Sequence, residues 1–136
     1  MICNLCPRRC GAERLPDRAG GVCAMPSLPV AARAMLHQWE EPCLVGEHGA
    51  GAVFFSGCNL RCKFCQNGVI SQEGYGKPIT PRRLREIFEE LVEQGAACLD
   101  LVTPTHFTDA VLEALGEERW PVPVVWNCGG YESVET

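Results

Sequence analysis

Three cysteines on one short stretch of the chain have the residue type and the spacing needed to hold an inorganic cluster. Cys58, Cys62 and Cys65 follow a C-x3-C-x2-C pattern directly after an apolar run. A [4Fe–4S] cluster normally takes four thiolate ligands, so a loop that supplies three leaves one iron open to a small-molecule ligand. The alternative is a loop of buried or zinc-binding cysteines. The spacing and the context favour the cluster.

A second set of cysteines near the N-terminus indicates another metal site. Cys3, Cys6, Cys10 and Cys23 form a C-x2-C-x3-C-x12-C pattern among glycine and proline residues, with few apolar residues nearby. Small segments that cannot bury a core often depend on a metal to fold. A four-thiolate zinc site and an auxiliary iron–sulfur cluster both fit, because thiolate sites accept either metal. Four unlinked core cysteines are the remaining alternative.

The composition is that of a globular chain with no membrane span and no nucleic-acid-binding surface. The 136 residues carry a formal net charge of −5, whereas a nucleic-acid interface needs a basic stripe, and 46% of them are hydrophobic. No run of roughly 18 apolar residues is present, and the N-terminus lacks the features of a secretory signal. Ten cysteines without an export signal predict metal ligands in a reducing cytoplasm rather than disulfides.

The stretch between residues 24 and 50 gives weaker signals. Residues 30–36 fit either a strand or a short helix, because the alanines blur the hydrophobic period. His37 stands near two acidic residues and could bind a metal or move protons, although we favour a hydrogen-bonded structural role. Cys43 is isolated, and we expect it to be buried in the packing.

From residue 51 onward, strand and helix patterns alternate. Residues 52–55 are an apolar run, as expected for a strand that is covered on both faces, and residues 97–102 are predicted to form a second buried strand. Between them, Thr80 and Pro81 form a helix start, and an apolar stripe continues to a stop at Gly95. The remaining elements are a shorter helix over residues 107–115 and a third strand over residues 123–126.

This alternation predicts an α/β fold in which parallel strands are joined by right-handed crossovers. In such sheets the ligand lies beyond the carboxyl ends of the strands. Those ends carry the cysteine loop, residues 103–106 and residues 127–130. The sequence therefore predicts that these three segments face one pocket.

The cysteine loop, which follows an apolar strand and has Phe64 before its last cysteine, resembles the radical S-adenosylmethionine (radical SAM) superfamily. Within that superfamily, the chain is similar to proteins labelled as pyruvate formate-lyase activating enzyme-like. The similarity runs through blocks spread over most of the chain, namely residues 3–11, 40–43, 49–51, 55–62, 64–67 and 102–106.

The resemblance implies that the three loop cysteines hold a [4Fe–4S] cluster whose open iron binds the amino and carboxylate groups of S-adenosylmethionine (SAM). It also implies that Phe64 lies near the adenine and that the tip of the second strand approaches the methionine part. Many relatives have a Gly-Gly-Glu-Pro motif at that tip, where this chain has Thr103-Pro104-Thr105, so backbone carbonyls or threonine hydroxyls would hold the amino group. No catalytic residue is assigned, and the residues assigned to cofactor binding are Phe64, Asn67, Thr103, Pro104, Thr105 and Asn127.

The same resemblance implies an oxidoreductase chemistry. The reduced cluster passes one electron to SAM, which breaks into methionine and a 5′-deoxyadenosyl radical that abstracts a hydrogen atom from the substrate. An electron donor such as flavodoxin or ferredoxin would reduce the cluster. The activating-enzyme analogy implies that the hydrogen comes from a backbone glycine of a glycyl radical enzyme.

Two non-catalytic interpretations of the cysteines stay open. One is a scaffold that holds zinc or an iron–sulfur cluster, and the other is a simple electron-transfer protein. The second requires a fourth cysteine to complete the cluster. Cys98 and Cys128 are the candidates, and Cys128 is the more plausible ligand because Cys98 falls within a strand that we expect to be buried.

The length predicts an incomplete barrel. We divide the chain into a cysteine-rich metal-binding segment and linker (residues 1–50) and a truncated radical SAM core (residues 51–136). The partial barrel of the superfamily has six βα units, which need about 180 residues at roughly 30 each, and three strands are predicted here. We therefore expect a fragment whose third strand ends as an exposed edge, and predict that the isolated chain is poorly soluble or inactive.

Overall fold

The apolar run predicted at residues 52–55 lies in the central strand of a five-stranded sheet in the computed structural model, which describes residues 2–136. In chain order the strands are β1 (Ile2–Cys3), β2 (Ala12–Glu13), β3 (Val30–His37), β4 (Ala50–Phe55), β5 (Lys77–Pro78), β6 (Leu99–Val102) and β7 (Val124–Asn127). The helices are α1 (Pro42–Val45), α2 (Gly68–Ser71), α3 (Pro81–Glu93) and α4 (Thr108–Leu115), and a 3₁₀ turn covers Thr105–Phe107. The predicted mixed α/β class is confirmed.

The five-stranded sheet combines parallel and antiparallel pairs in the order β5-β3-β4-β6-β7. Strands β4, β6 and β7 run parallel, as the alternation of strands and helices predicted. Strand β3 lies antiparallel to β4, with Met35 opposite Ala52 and His37 opposite Ala50, and β5 pairs antiparallel with β3. The sheet therefore includes residues on both sides of position 50, and the division of the chain at that position stays a prediction.

Helix α3 forms where its cap and its apolar stripe predicted it. The Thr80 side chain accepts a hydrogen bond from the Arg83 amide at 3.1 Å, and Pro81 follows in the first turn. The stripe is the buried face of the helix, and it packs with β4 and β6 into the main hydrophobic core. Fully or nearly fully buried on this face are Leu84, Phe88 and Leu91.

Strand β6 presents alternate residues to the two faces of the sheet. Leu99 and Leu101 are buried in the core with the apolar residues of α3 and α4. Asp100 is equally buried, and its carboxylate lies 3.4 Å from the Asn127 amide nitrogen on β7. Val102 lines a cavity together with Asn127. One face of this strand thus serves the core, and the other serves a polar site.

Two expectations from the region before β4 are settled by the structure. Residues 30–36, which fitted either a strand or a short helix, lie in β3 (Val30–His37). The prediction that Cys43 is buried is wrong, because Cys43 lies in the single turn of α1 on the surface and is exposed. Cys98 is buried as expected but precedes β6, and its thiol lies 3.4 Å from the Leu44 carbonyl.

The N-terminal segment is held by a short antiparallel pair, β1 and β2, and by buried polar contacts. Arg14 follows β2 and is 1% exposed, although it is an arginine. Its guanidinium donates hydrogen bonds to the carbonyls of Met25 and Pro26, which fixes the chain that leads to β3. Within residues 2–136, none of the helices combines the length and the apolar character needed to cross a membrane.

Candidate active site

The cysteine loop, residues 57–67, begins where β4 ends and is fixed at its base. Gly57 has a φ of 76°, and a Cβ placed on it would clash with the Met25 side chain, so only glycine fits without rearrangement. The amide of Ser56 donates to the Val30 carbonyl at 2.8 Å, and that of Gly57 donates to the Ile70 carbonyl at 3.0 Å. The loop therefore starts from a defined point between β3 and α2.

The three cysteines of the loop are partly exposed, and two of their sulfurs accept hydrogen bonds. The Leu60 amide donates to Cys58 Sγ at 3.3 Å, and the Ser71 hydroxyl donates to Cys65 Sγ at 3.3 Å. Thiols with polar donors around them suit an iron–sulfur cluster, whose potential depends on such hydrogen bonds. Among residues 2–136, however, no three Cys, His, Asp or Glu side chains are gathered in a metal-binding arrangement. The chemistry of the donors fits, and the ligand assignment stays a prediction.

The N-terminal cysteines differ in exposure. Cys3, Cys6 and Cys23 are buried, whereas Cys10 is exposed. A hydrogen bond from the backbone at Val22 lowers the pKa of Cys10, and burial raises the pKa of Cys23. The guanidinium of Arg14 donates to Cys3 Sγ at 3.3 Å. As with the cysteine loop, the part of the chain that the structure describes does not gather these thiols around a common centre, and their role as zinc or auxiliary cluster ligands stays a prediction.

A cavity of about 450 Å³ lies on the polar face of the sheet. It extends over β3, β4, β6 and β7 and reaches the end of the cysteine loop. Of the residues assigned to cofactor binding, Asn67 and Asn127 line it. Apolar side chains from the strands form part of the wall, including Phe54 and Val102. A mostly concave site with a few polar groups is the usual form of a small-molecule site.

The other residues assigned to cofactor binding lie elsewhere. The Phe64 side chain is 91% exposed, at the outer part of the cysteine loop. Thr103 has a φ of 60°, and its amide donates to the Asn127 carbonyl at 2.8 Å, which joins the tips of β6 and β7. Pro104 is buried. Thr105 donates to the Glu132 carboxylate at 2.8 Å and lines a separate cavity of about 530 Å³.

A group of titratable residues at the cavity was not predicted as a unit. His37 and Glu40 line the cavity, with His37 Nε2 3.9 Å from Glu40 Oε1. Asp100 lies beside them, and burial, reinforced by the nearby Glu40 carboxylate, raises the pKa of Asp100 to about 6. His37 was considered alone in the sequence. The pairing of β3 with β4, and of β4 with β6, brings the three groups together, and the local sequence does not contain that information.

Sequence reasoning also gave no role to three basic residues around the loop. His106 is 1% exposed, and its Nε2 lies 2.7 Å from the Ser56 carbonyl at the base of the cysteine loop. Burial lowers the pKa of His106 to about 4, so the ring is neutral at pH 7 and donates from Nε2. Arg8 donates to the Asn59 carbonyl in the loop, and Arg14 donates to the His106 carbonyl in the 3₁₀ turn that follows β6. The feature of the sequence that could have indicated Arg8 and Arg14 is their position between the N-terminal cysteines.

Comparison with known proteins identifies the class. The sequence model of the Radical SAM superfamily matches residues 52–120, just over half of the chain, and the chain belongs to this superfamily of enzymes. A relative named Uncharacterized protein MJ0674, from Methanocaldococcus jannaschii, is 32% identical over 142 residues, an alignment that covers 98% of this chain and 40% of the relative. The chain thus spans about two fifths of the length of that relative. No solved structure matches the chain significantly.

Proposed function

We propose that this chain contributes the cluster-binding part of a radical SAM enzyme, in which Cys58, Cys62 and Cys65 hold a [4Fe–4S] cluster. The main support is the position of these thiols, on one loop at the carboxyl end of the central parallel strand and inside the segment that matches the superfamily. Parallel α/β sheets bind their ligands at that end. The cavity beside the loop has room for a small-molecule cofactor.

Different residues of the chain would bind the cluster and SAM. The loop thiolates would hold the cluster, and the amides of Asn67 and Asn127 would bind polar groups of SAM in the cavity that both residues line. The Thr103 amide is already used by the Asn127 carbonyl, so Thr103 orients the strand tip rather than donating from its backbone to the cofactor. When bound, the cluster and SAM would supply radical chemistry for the abstraction of a hydrogen atom from the substrate.

The finer assignments rest on the resemblance to the activating enzymes. We propose a flavodoxin or ferredoxin as electron donor, a glycyl radical enzyme as the hydrogen donor and the cytoplasm as the location. The N-terminal cysteines would bind Zn²⁺ or a second iron–sulfur cluster, because a buried set of thiols with one exposed member can take either.

Anaerobic reconstitution with iron and sulfide, followed by electron paramagnetic resonance of the dithionite-reduced chain, tests the proposal. We expect a [4Fe–4S]⁺ signal that changes when SAM is added, because the cofactor occupies the open iron. Cys58→Ser should lose that signal. Cys43→Ser is the matched control, since Cys43 is exposed and lies outside the loop.

The alternatives give different results in the same experiment. A cluster signal that SAM leaves unchanged would favour a scaffold or an electron-transfer protein. Loss of the signal in Cys128→Ser would show that a fourth thiolate completes the cluster and would contradict the open iron.

A further inference from the structure

The N-terminal cysteine segment, residues 3–23, is hydrogen-bonded directly to the cysteine loop. Arg8 lies between Cys6 and Cys10 in the sequence, and its Nε donates to the Asn59 carbonyl at 2.8 Å. Its Nη2 donates to the Leu60 carbonyl at 3.3 Å. Both carbonyls belong to the stretch between the first and second cysteines of the loop. One guanidinium therefore holds the backbone on which two of the proposed cluster ligands stand.

The residues around Arg8 support this contact. Its guanidinium lies 5.4 Å from the centre of the Tyr131 ring, within the range of a cation–π interaction. The Asn59 side chain is 4% exposed and donates to the Tyr131 carbonyl at 2.9 Å. These contacts thus join the N-terminal segment, the cysteine loop and the C-terminal part of the chain near Tyr131. A planar guanidinium can donate to two carbonyls and lie over a ring, which a lysine ammonium does less well.

A second connection between the two segments is a hydrogen bond whose donor lies on the cysteine loop. Arg61, inside the cysteine loop, donates from Nη1 to the Val22 carbonyl at 3.2 Å, next to Cys23. At the base of the loop, a Cβ on Gly57 would lie 2.9 Å from the Cys23 carbonyl oxygen, so no side chain fits between them. The two segments therefore contact each other at the base and at the middle of the loop.

A third connection is indirect and buried. Arg14 donates to Cys3 Sγ at 3.3 Å and to the His106 carbonyl at 2.7 Å. His106 in turn contacts the Ser56 carbonyl at 2.7 Å, one residue before Gly57. This series of contacts leads from an N-terminal thiol to the residue from which the cysteine loop starts.

We propose that the N-terminal cysteine segment positions the cysteine loop for cluster binding, with Arg8 as the main positioning residue. The inference rests on the proposed function and adds to it a role for residues 3–23 in the same site. Much of the loop lacks secondary structure, so its backbone order depends on contacts with neighbouring segments. Arg8 supplies two of these contacts from a charged donor, and such hydrogen bonds are among the stronger ones in proteins.

Thiol alkylation of the metal-free, reduced chain tests this without any cluster. Iodoacetamide labelling of the partly exposed Cys58 and Cys62, followed over time by peptide mass spectrometry, reports how accessible these thiols are, and their accessibility rises when the loop loses its order. In Arg8→Ala we expect labelling about tenfold faster than in the wild type, since charge-assisted hydrogen bonds are lost. Arg8→Lys, which keeps the charge and loses the planar fork, should lie between the two.

The controls separate a local effect from a general one. Arg9→Gln changes the adjacent arginine, which takes no part in these contacts, and should label like the wild type. The exposed Cys43 is an internal reference whose rate should not change. Equal labelling of Cys58 and Cys62 in the wild type and in Arg8→Ala would overturn the proposal, and so would an equal acceleration at Cys43.

Iron uptake distinguishes the two proposals from each other. If the wild type takes up no cluster on reconstitution, the proposed function fails, whatever the labelling shows. If the wild type takes up a cluster and Arg8→Ala takes it up equally fast, with unchanged labelling, the proposed function stands and the positioning role of Arg8 fails.

Discussion

Two buried titratable residues near the site have pKa values displaced in opposite directions. Burial lowers the pKa of His106 from 6.5 to about 4, so the folded chain resists protonating this ring. Burial and the Glu40 carboxylate raise the pKa of Asp100 from 3.8 to about 6, so the folded chain holds a proton there that the unfolded chain releases. As the pH falls from 6.5 towards 4, protonation of the unfolded chain at His106 lowers stability. Proton uptake by the folded chain at Asp100 raises it.

In the wild type, the contributions of His106 and Asp100 to the pH dependence of stability partly cancel. We therefore expect that substituting either residue alone reveals the contribution of the other. Acidification from pH 7 to pH 4.5 should raise the free energy of unfolding of His106→Gln, relative to that of the wild type, by up to about 3 kcal/mol. Asp100→Asn should become less stable over the same range. Urea unfolding at both pH values measures these changes.

Asp17→Asn is the control for loss of a carboxylate as such, because Asp17 is exposed on the N-terminal segment. If His106→Gln and the wild type have parallel pH profiles, His106 has the same pKa in the folded and the unfolded chain, which would contradict the lowered pKa.

At the scale of elements, the close approach of α3 to the central strand depends on one glycine. A Cβ on Gly51 would lie 2.9 Å from the Ala96 Cβ, 3.0 Å from the Cys98 carbonyl oxygen and 3.2 Å from the Leu91 Cβ. Backbone atoms and the end of the helix surround it, so the neighbours cannot easily move away. The absence of a side chain at position 51 lets helix and strand pack closely.

Gly51→Ala should accordingly lower the free energy of unfolding by about 1–3 kcal/mol, the usual cost of overpacking. Gly68→Ala is the matched substitution, because a Cβ there meets nothing within 4 Å. Since Gly68 is the first residue of α2, alanine should leave stability unchanged or raise it by up to about 1 kcal/mol. Urea unfolding of both variants checks this, and equal destabilisation would contradict the packing described here.

The sequence predicted those elements whose signals are local. Helix α3 has a cap, a proline and an apolar stripe close together in the chain, β4 contains an apolar run, and β6 is apolar except for Asp100. Strand β3 was ambiguous because Ala31, Ala32 and Ala34 suit both periods. Its antiparallel pairing, which brings His37 and Glu40 to Asp100, depends on contacts between distant residues, and no local pattern encodes them. Cys43 was mispredicted because isolated cysteines are usually buried and a single surface turn is hard to detect.

For the whole molecule, the two ends of the sheet differ. Strand β5 contributes two residues at one end, whereas β7 contributes four at the other and has no partner on its outer side within residues 2–136. Unpaired backbone groups of an exposed strand can pair with another chain. The exposed edge that the sequence predicted is thus present in the described residues.

We expect the isolated chain to self-associate through β7. Val125→Lys places a charge within this strand and should reduce association, measured by light scattering against protein concentration. Val134→Lys makes the same chemical change at a fully exposed residue outside the strand and should associate like the wild type. Equal association of the two variants would show that another surface is responsible.

The alternation of strand β6 has a consequence for how this gene tolerates variation. Leu99 and Leu101 serve the apolar interior, and Asp100 and Val102 serve the polar face. In a saturation mutagenesis screen, substitutions at the odd-numbered codons should deplete the amount of protein in the cell. Those at codon 102 should mainly reduce the proposed function, whereas those at codon 100 should reduce both, because Asp100 is as buried as Leu99 and Leu101. Along these four codons, the loss of fitness that is not explained by a loss of protein would then alternate. That alternation would identify the functional side of the sheet from genetics alone.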